Sequence, residues 1–255
     1  MAEKLKTTHG RTLAYHRTEG RGPGVVFLGG FMSDMTGTKA VYLEDWARRE
    51  GRAFLRFDYS GHGESSGAFA DGCIGDWADD AVEAVSHLTE GPQILVGSSM
   101  GGWIALLLAR RIPKRVAGLV GIAAAPDFTA DSMWPSLSDA QRQEVLEQGQ
   151  TLLPNDYDET PYPLTRRLFE DGRQQLVLRT PLALPFPVRL VQGTKDEAVA
   201  TSVPLRLMDH ADCPDMRLTL VKDADHRFST DDCLALITES IAEVLARAEA
   251  ASGSG

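Results

Sequence analysis

The segment Gly97-Ser98-Ser99-Met100-Gly101-Gly102 carries the clearest chemistry in this chain. It sets a hydroxyl among glycines in the G-x-S-x-G pattern, which places a serine on a sharp strand-to-helix turn. An alcohol held there becomes a nucleophile once a base removes its proton, and that base needs a carboxylate to orient it. The pattern centres on Ser99; Ser98 is expected to make only local hydrogen bonds. Gly97 and Gly101 are expected to let backbone and helix approach where a Cβ would clash. The helix beginning after Ser99 directs its positive end at the site and favours a developing anion.

Two histidines follow Ser99 in the chain, His210 and His226. His226 lies in the loop 222–227, just after an apolar run at 218–221, which is where a base belongs. His210 ends a predicted helix and reads as a solvated surface residue. The orienting acid should follow the preceding strand, 188–193, so Asp196 is the expected carboxylate and Glu197 the alternative. Gly193 is expected to permit a tight turn before it. Asp223 and Asp225 sit too close to His226 in sequence to be its usual partner. A tetrahedral intermediate also needs two backbone N–H donors for its oxyanion. The spacing assigns them to Met100, directly after Ser99, and to Phe31, in the loop that follows Val25-Val26-Phe27-Leu28-Gly29-Gly30. This chemistry requires no metal and no organic cofactor.

The elements that must hold these groups alternate along the chain. Strands are predicted at 25–28, 53–58, 94–97, 116–123, 188–193 and 218–221. Helices are predicted at 38–50, 76–88, 101–111, 202–209 and 231–250. Strands that are apolar throughout, separated by helices, imply a parallel sheet covered on both faces, with ligands outside the carboxyl ends of its strands. The stretch 127–185 breaks the alternation. It carries scattered aromatics (Phe128, Trp134, Tyr157, Tyr162, Phe169) and predicts a helix at 138–148, capped by Ser138 and Gln141, and a shorter one at 163–172. It reads as a small helical lid inserted into one α/β domain spanning 1–251, followed by a flexible tail at 252–255. The glycine-rich Asp58-Tyr59-Ser60-Gly61-His62-Gly63-Glu64-Ser65 lacks the GxxxxGK[ST] phosphate pattern, so Asp58 and His62 are expected to serve the fold.

Composition limits the alternatives. A formal net charge of −10 over 255 residues opposes any role resting on attraction to nucleic-acid phosphates. Cys73, Cys213 and Cys233 form an odd, sparse set without CxxC spacing, which points to reduced thiols in a cytoplasmic protein. The first residues lack the apolar core of a secretory signal, and no run reaches the length of a membrane span. The oligomeric state is not written in these features.

Taken together, Gly97–Gly101, Asp58–Ser65, Asp196 and His226 resemble the α/β-hydrolase superfamily across nearly the whole chain. A closer likeness, to mitochondrial acyl-protein thioesterases that also cleave acyl glucuronides and to their bacterial relatives, rests on longer segments. These are Gly37-Thr38-Lys39-Ala40, Arg56-Phe57-Asp58-Tyr59-Ser60-Gly61, Gly91 through Trp103, and Asp225-His226-Arg227. The resemblance implies an α/β-hydrolase fold, a Ser99/Asp196/His226 triad and a small-molecule or acylated substrate with an ester or thioester bond. Many relatives have His-Gly where this chain has Gly29-Gly30; the donor after them is main chain in either case. The same triad could serve perhydrolysis or C–C hydrolysis, and the same fold could serve a slow small-molecule receptor. Dehalogenases and epoxide hydrolases use an Asp nucleophile where this chain has Ser99.

Overall fold

Strands that are apolar on both faces demand cover on both sides, and the computed structural model of the chain shows that cover at 25–28, 93–98, 116–122 and 188–193, whereas the run at 218–221 is a sheet edge with Leu220 exposed. The structure describes residues 1–153 and 161–252. Tyr157 and the tail residues 253–255 lie outside them. In chain order the elements are β1 (Glu3–Lys6), β2 (Thr12–Thr18), β3 (Arg21–Leu28), α1 (Thr38–Arg49), β4 (Arg52–Phe57), α2 (Ile74–Leu88), β5 (Gln93–Ser98), α3 (Met100–Arg111), β6 (Val116–Ile122), α4 (Trp134–Ser136), α5 (Asp139–Gln148), β7 (Gln150–Leu153), β8 (Tyr162–Thr165), α6 (Arg166–Gly172), β9 (Val188–Gly193), α7 (Ser202–His210), β10 (Met216–Val221) and α8 (Asp231–Ser252).

Eight strands form one sheet in the order β1-β2-β4-β3-β5-β6-β9-β10. From β4 to β10 all neighbours are parallel. β1 and β2 add an antiparallel margin that the apolar runs did not predict. Alternate side chains feed two cores. Val26, Leu28 and Leu95 pack with Trp77 of α2 and Trp103 of α3. Val25, Phe27, Ile94 and Val96 pack on the other side with Leu43 of α1 and Ile237 and Ile241 of α8. Register aligns the carboxyl ends: Leu28 pairs with Gly97, Ser98 with Ile122, and Val221 with Gly193. The loops after β3, β5, β9 and β10 therefore emerge along one edge of the sheet.

The insertion between β6 and β9 departs from its sequence pattern in one place. Residues 162–165 form β8, paired antiparallel with β7, and the helix begins only at Arg166. Thr165 caps it, its hydroxyl accepting from Leu168 N–H at 3.1 Å. The expected helix at 138–148 is present with a reciprocal capping box between Ser138 and Gln141. The buried Asp127 carboxylate ties the start of the insertion to its end. It accepts from the N–H groups of Val177 (2.8 Å) and Leu178 (3.0 Å) and from Arg179 Nη1 (2.7 Å). At the carboxyl end of the chain α8 runs on through Ser252, the residue expected to begin the tail.

Candidate active site

Ser99 lies between β5 and α3 with φ 53° and ψ −117°, a conformation non-glycine residues avoid. Such a backbone costs on the order of 1–3 kcal/mol and persists only where its surroundings fix it. Here the Ser99 N–H donates to the Ile122 carbonyl (2.9 Å), and its own carbonyl accepts from Gly102 and Ala125 N–H (2.9 and 3.0 Å). The turn also needs Gly101: a Cβ there would stand 2.0 Å from the Leu28 carbonyl oxygen.

The structure brings Ser99, Asp196 and His226 together. His226 Nε2 lies 3.1 Å from Ser99 Oγ, and its Nδ1 lies 2.8 Å from Asp196 Oδ2. Because Nδ1 faces a carboxylate, it carries the proton in the neutral ring, which leaves Nε2 to accept from the Ser99 hydroxyl. The loops bearing acid and base are joined directly: Lys195 N–H donates to the Ala224 carbonyl (3.0 Å), and Asp223 N–H to Thr194 Oγ1 (2.9 Å). This corrects the reason for Gly193. Its backbone needs no left-handed turn, but a Cβ would sit 2.1 Å from the Ala224 carbonyl oxygen. Lys39 Nζ steadies the base loop from beneath, donating to the Arg227 carbonyl.

The Asp196 carboxylate is fully buried and accepts four hydrogen bonds. Burial pushes its pKa up, but the hydrogen bonds from His226, Val199 N–H and Gln192 outweigh that and hold it below the usual carboxylate range. Gln192 was not singled out in the sequence. It is wholly buried at the end of β9, and its Nε2 donates to Asp196 Oδ2 (2.6 Å) and to the Val199 carbonyl (3.0 Å). Both neighbours are acceptors, so the amide nitrogen must face them. The one available signal was a polar residue in an otherwise apolar strand end.

Other candidates fall elsewhere. Glu197 is exposed on the cleft rim and makes no ion pair among the described residues. His210 is half-buried, its Nε2 2.8 Å from the Thr180 carbonyl oxygen. Asp58 serves the fold, accepting from Met35 and Glu64 N–H (2.6 and 2.9 Å). His62 is buried against Tyr59, Phe69 and Trp77. Met100 opens α3, where the first N–H groups have no intrahelical acceptor. Gly30 packs against Ser99, and Phe31 follows it with its ring edge-on to Phe69 (4.9 Å) and Phe128 (5.8 Å).

Ser99 and His226 open into a cleft of about 530 Å³ walled by Phe31, Phe128, Met133, Leu153 and Tyr162. Among the described residues no cluster of His, Cys, Asp and Glu could hold a metal ion. No described helix is long and apolar enough to cross a membrane.

With strand order, turn and cleft in place, comparison with known proteins is decisive. Residues 25–170 match the family model for the α/β-hydrolase fold. The chain belongs to that family. It is 36% identical to the rat protein named palmitoyl-protein thioesterase ABHD10, mitochondrial, over 94% of this chain and 81% of the relative. The structure of mouse α/β hydrolase domain-containing protein 10 superposes with a TM-score of 0.87 at 35% identity, covering 95% of this chain and 97% of that one. A crystal structure from Agrobacterium vitis S4 gives a TM-score of 0.90 at 39% identity, covering 96% and 98%.

Proposed function

We propose that this α/β hydrolase cleaves carboxylic esters or thioesters through an acyl-Ser99 intermediate. The observation that carries the reading is the continuous hydrogen-bonded chain Ser99–His226–Asp196, open to an apolar cleft. His226 Nε2 takes the Ser99 proton as Oγ attacks the carbonyl carbon, and the N–H groups of Phe31 and Met100 hold the resulting oxyanion. Collapse expels the alcohol or thiol, protonated by His226. The same imidazole then removes a proton from water, which releases the acid and restores Ser99. Asp196 stays ionised and fixes the tautomer that makes Nε2 the base. The insertion 127–185 acts as the lid in this reading, since Phe128, Met133, Leu153 and Tyr162 all come from it.

The named thioesterase relatives favour an acyl thioester among the possible substrates. Those relatives carry a mitochondrial name, and the unpaired cysteines of this chain fit a reducing compartment, the cytoplasm or an organelle interior alike. The test is an acyl-length series of p-nitrophenyl esters and acyl thioesters, with Ser99→Ala alongside. Turnover should fall by about 10³-fold or more in that variant, and covalent labelling by a fluorophosphonate should vanish. Undiminished turnover would remove Ser99 from the mechanism. A wild-type protein that neither labels nor turns over would favour a receptor.

A further inference from the structure

The two margins of the eight-stranded sheet differ in how they are protected. β1 is four residues long and carries Glu3, Lys4 and Lys6, all exposed. Charged side chains on a short edge strand deter pairing with another chain. β10 is six residues long, and its one charge, Arg217, is tied to Glu243 of α8 at 2.9 Å. Leu220, on this margin, is 45% exposed. We infer that a second copy of this chain pairs with β10, antiparallel across a twofold axis at Leu218.

The free backbone groups of β10 follow from its bonds to β9. At the two ends of that ladder Val188 N–H donates to the Asp215 carbonyl and Thr194 N–H to the Val221 carbonyl, both at 2.9 Å. In a parallel pair, alternate residues turn both backbone groups to the neighbour, so Arg217, Thr219 and Val221 face β9. Met216, Leu218 and Leu220 turn theirs outward, and no hydrogen bond among the described residues takes them up. An antiparallel copy centred on Leu218 sets Met216 opposite Leu220 and Leu218 opposite its own equivalent. That arrangement closes about six backbone hydrogen bonds.

Side chains and charge favour a second copy over an unrelated strand. Met216 and Leu218 pack with Leu207 of α7, and alternation puts Leu220 on the same face of the strand. The pairing sets Leu220 against Met216 of the other copy, two apolar side chains at cross-strand distance. Leu205 of α7, also exposed, adds to the apolar surface on that side. On the opposite face Arg217 falls against Thr219, so no like charges stand directly opposite. Beyond the strand Lys222 reaches the segment 212–214 of the other copy, where Asp212 stands. Neither Lys222 nor Asp212 makes an ion pair within one chain among the described residues. Twofold symmetry makes each of these matches occur twice. The carboxyl ends of the two sheets then point opposite ways, so the active sites lie far apart and turnover per chain is independent of pairing.

Sedimentation of the full chain over about 1 to 100 µM should reach twice the 27.7 kDa chain mass at the upper end. Hydrogen exchange on the wild-type protein reads the edge directly. The amides of Met216, Leu218 and Leu220 should be protected in the dimer and exchange about tenfold faster or more on dilution, while those of Arg217, Thr219 and Val221 stay protected throughout. Leu220→Lys should weaken the dimer about tenfold or more by placing a charge at the seam. Leu220→Pro should do the same by removing an outward N–H without touching the β9 ladder. Both variants should keep the wild-type kcat/KM for a p-nitrophenyl ester. Lys222→Glu should weaken the dimer about threefold, and Asp212→Lys added to it should restore the affinity. A chain still monomeric at the upper concentration, a dimer untouched by both Leu220 variants, or edge amides that exchange fast in the dimer overturns the pairing. A charge swap that fails to restore affinity overturns the axis at Leu218.

Discussion

His62 provides a test of how firmly the wall behind Phe31 is held. Its side chain is 4% exposed, Nδ1 lies 3.2 Å from the Ser60 carbonyl oxygen, and Nε2 has no hydrogen-bond partner among the described residues. Its ring meets Phe69 and Trp77 at 5.2 and 5.1 Å, and both of those rings meet Phe31. Burial lowers the His62 pKa from 6.5 to about 4 despite the bond to Ser60. Between those two values the unfolded chain binds a proton that the folded chain refuses, so stability falls as pH falls through that window. From pH 7 to 4.5 this single residue removes on the order of 2 kcal/mol, taking about 1.4 kcal/mol per pKa unit. Other groups titrate over the same range, so the measurement is a difference. Urea unfolding of the protein and of His62→Phe is followed at both pH values. The variant loses the Nδ1 hydrogen bond, about 1 kcal/mol, at neutral pH. It should lose on the order of 2 kcal/mol less than the parent on acidification and become the more stable of the two at pH 4.5. Parallel losses in the two proteins would refute the claim that His62 is folded as a neutral ring.

The elbow and the acid loop make two further expectations. Gly101→Ala drives a Cβ to within 2.0 Å of the Leu28 carbonyl oxygen, so β3 and the Phe31 loop must move. Thermal unfolding should show a cost of about 1–3 kcal/mol together with a lower kcat, and an unchanged Tm would mean the approach is looser than the structure has it. Gln192→Leu keeps the volume but removes the donor shared by Asp196 Oδ2 and Val199 O. With about 1.4 kcal/mol of orientation lost, kcat should drop about tenfold while KM stays within about twofold. Steady-state kinetics that show only a KM effect would assign Gln192 to packing alone.

What could be read directly in the residues was what is local in the chain. The strand, Ser99 and the helix after it are contiguous, and the glycines that permit the turn stand beside it, so one short window carries the whole device. Asp196 and His226 were reachable because parallel strands deliver their following loops to one edge, which makes chain order a guide to position. β1 and β2 escaped notice for the opposite reason: β1 is largely exposed, and β2 is polar at most positions, so neither has the apolar run of a covered strand. Residues 163–165 fall within the helix expected at 163–172, where Pro163 is tolerated in a first turn, yet pairing with β7 outweighs that preference. Gly193 looked like a turn glycine when its constraint is the Ala224 carbonyl, some thirty residues later.

The cleft lies at the far end of this scale. Its walls are set by contacts such as Asp127 with Val177 and Leu178, about fifty residues apart, and by side chains from five separate segments. No window of sequence contains that shape. In the proposed mechanism the reaction type depends on Ser99, Asp196 and His226, held by loops at the sheet edge, while the choice of acyl group depends on how the insertion closes around them. On that proposal, substitutions in the insertion change which ester is cleaved without touching Ser99, Asp196 or His226.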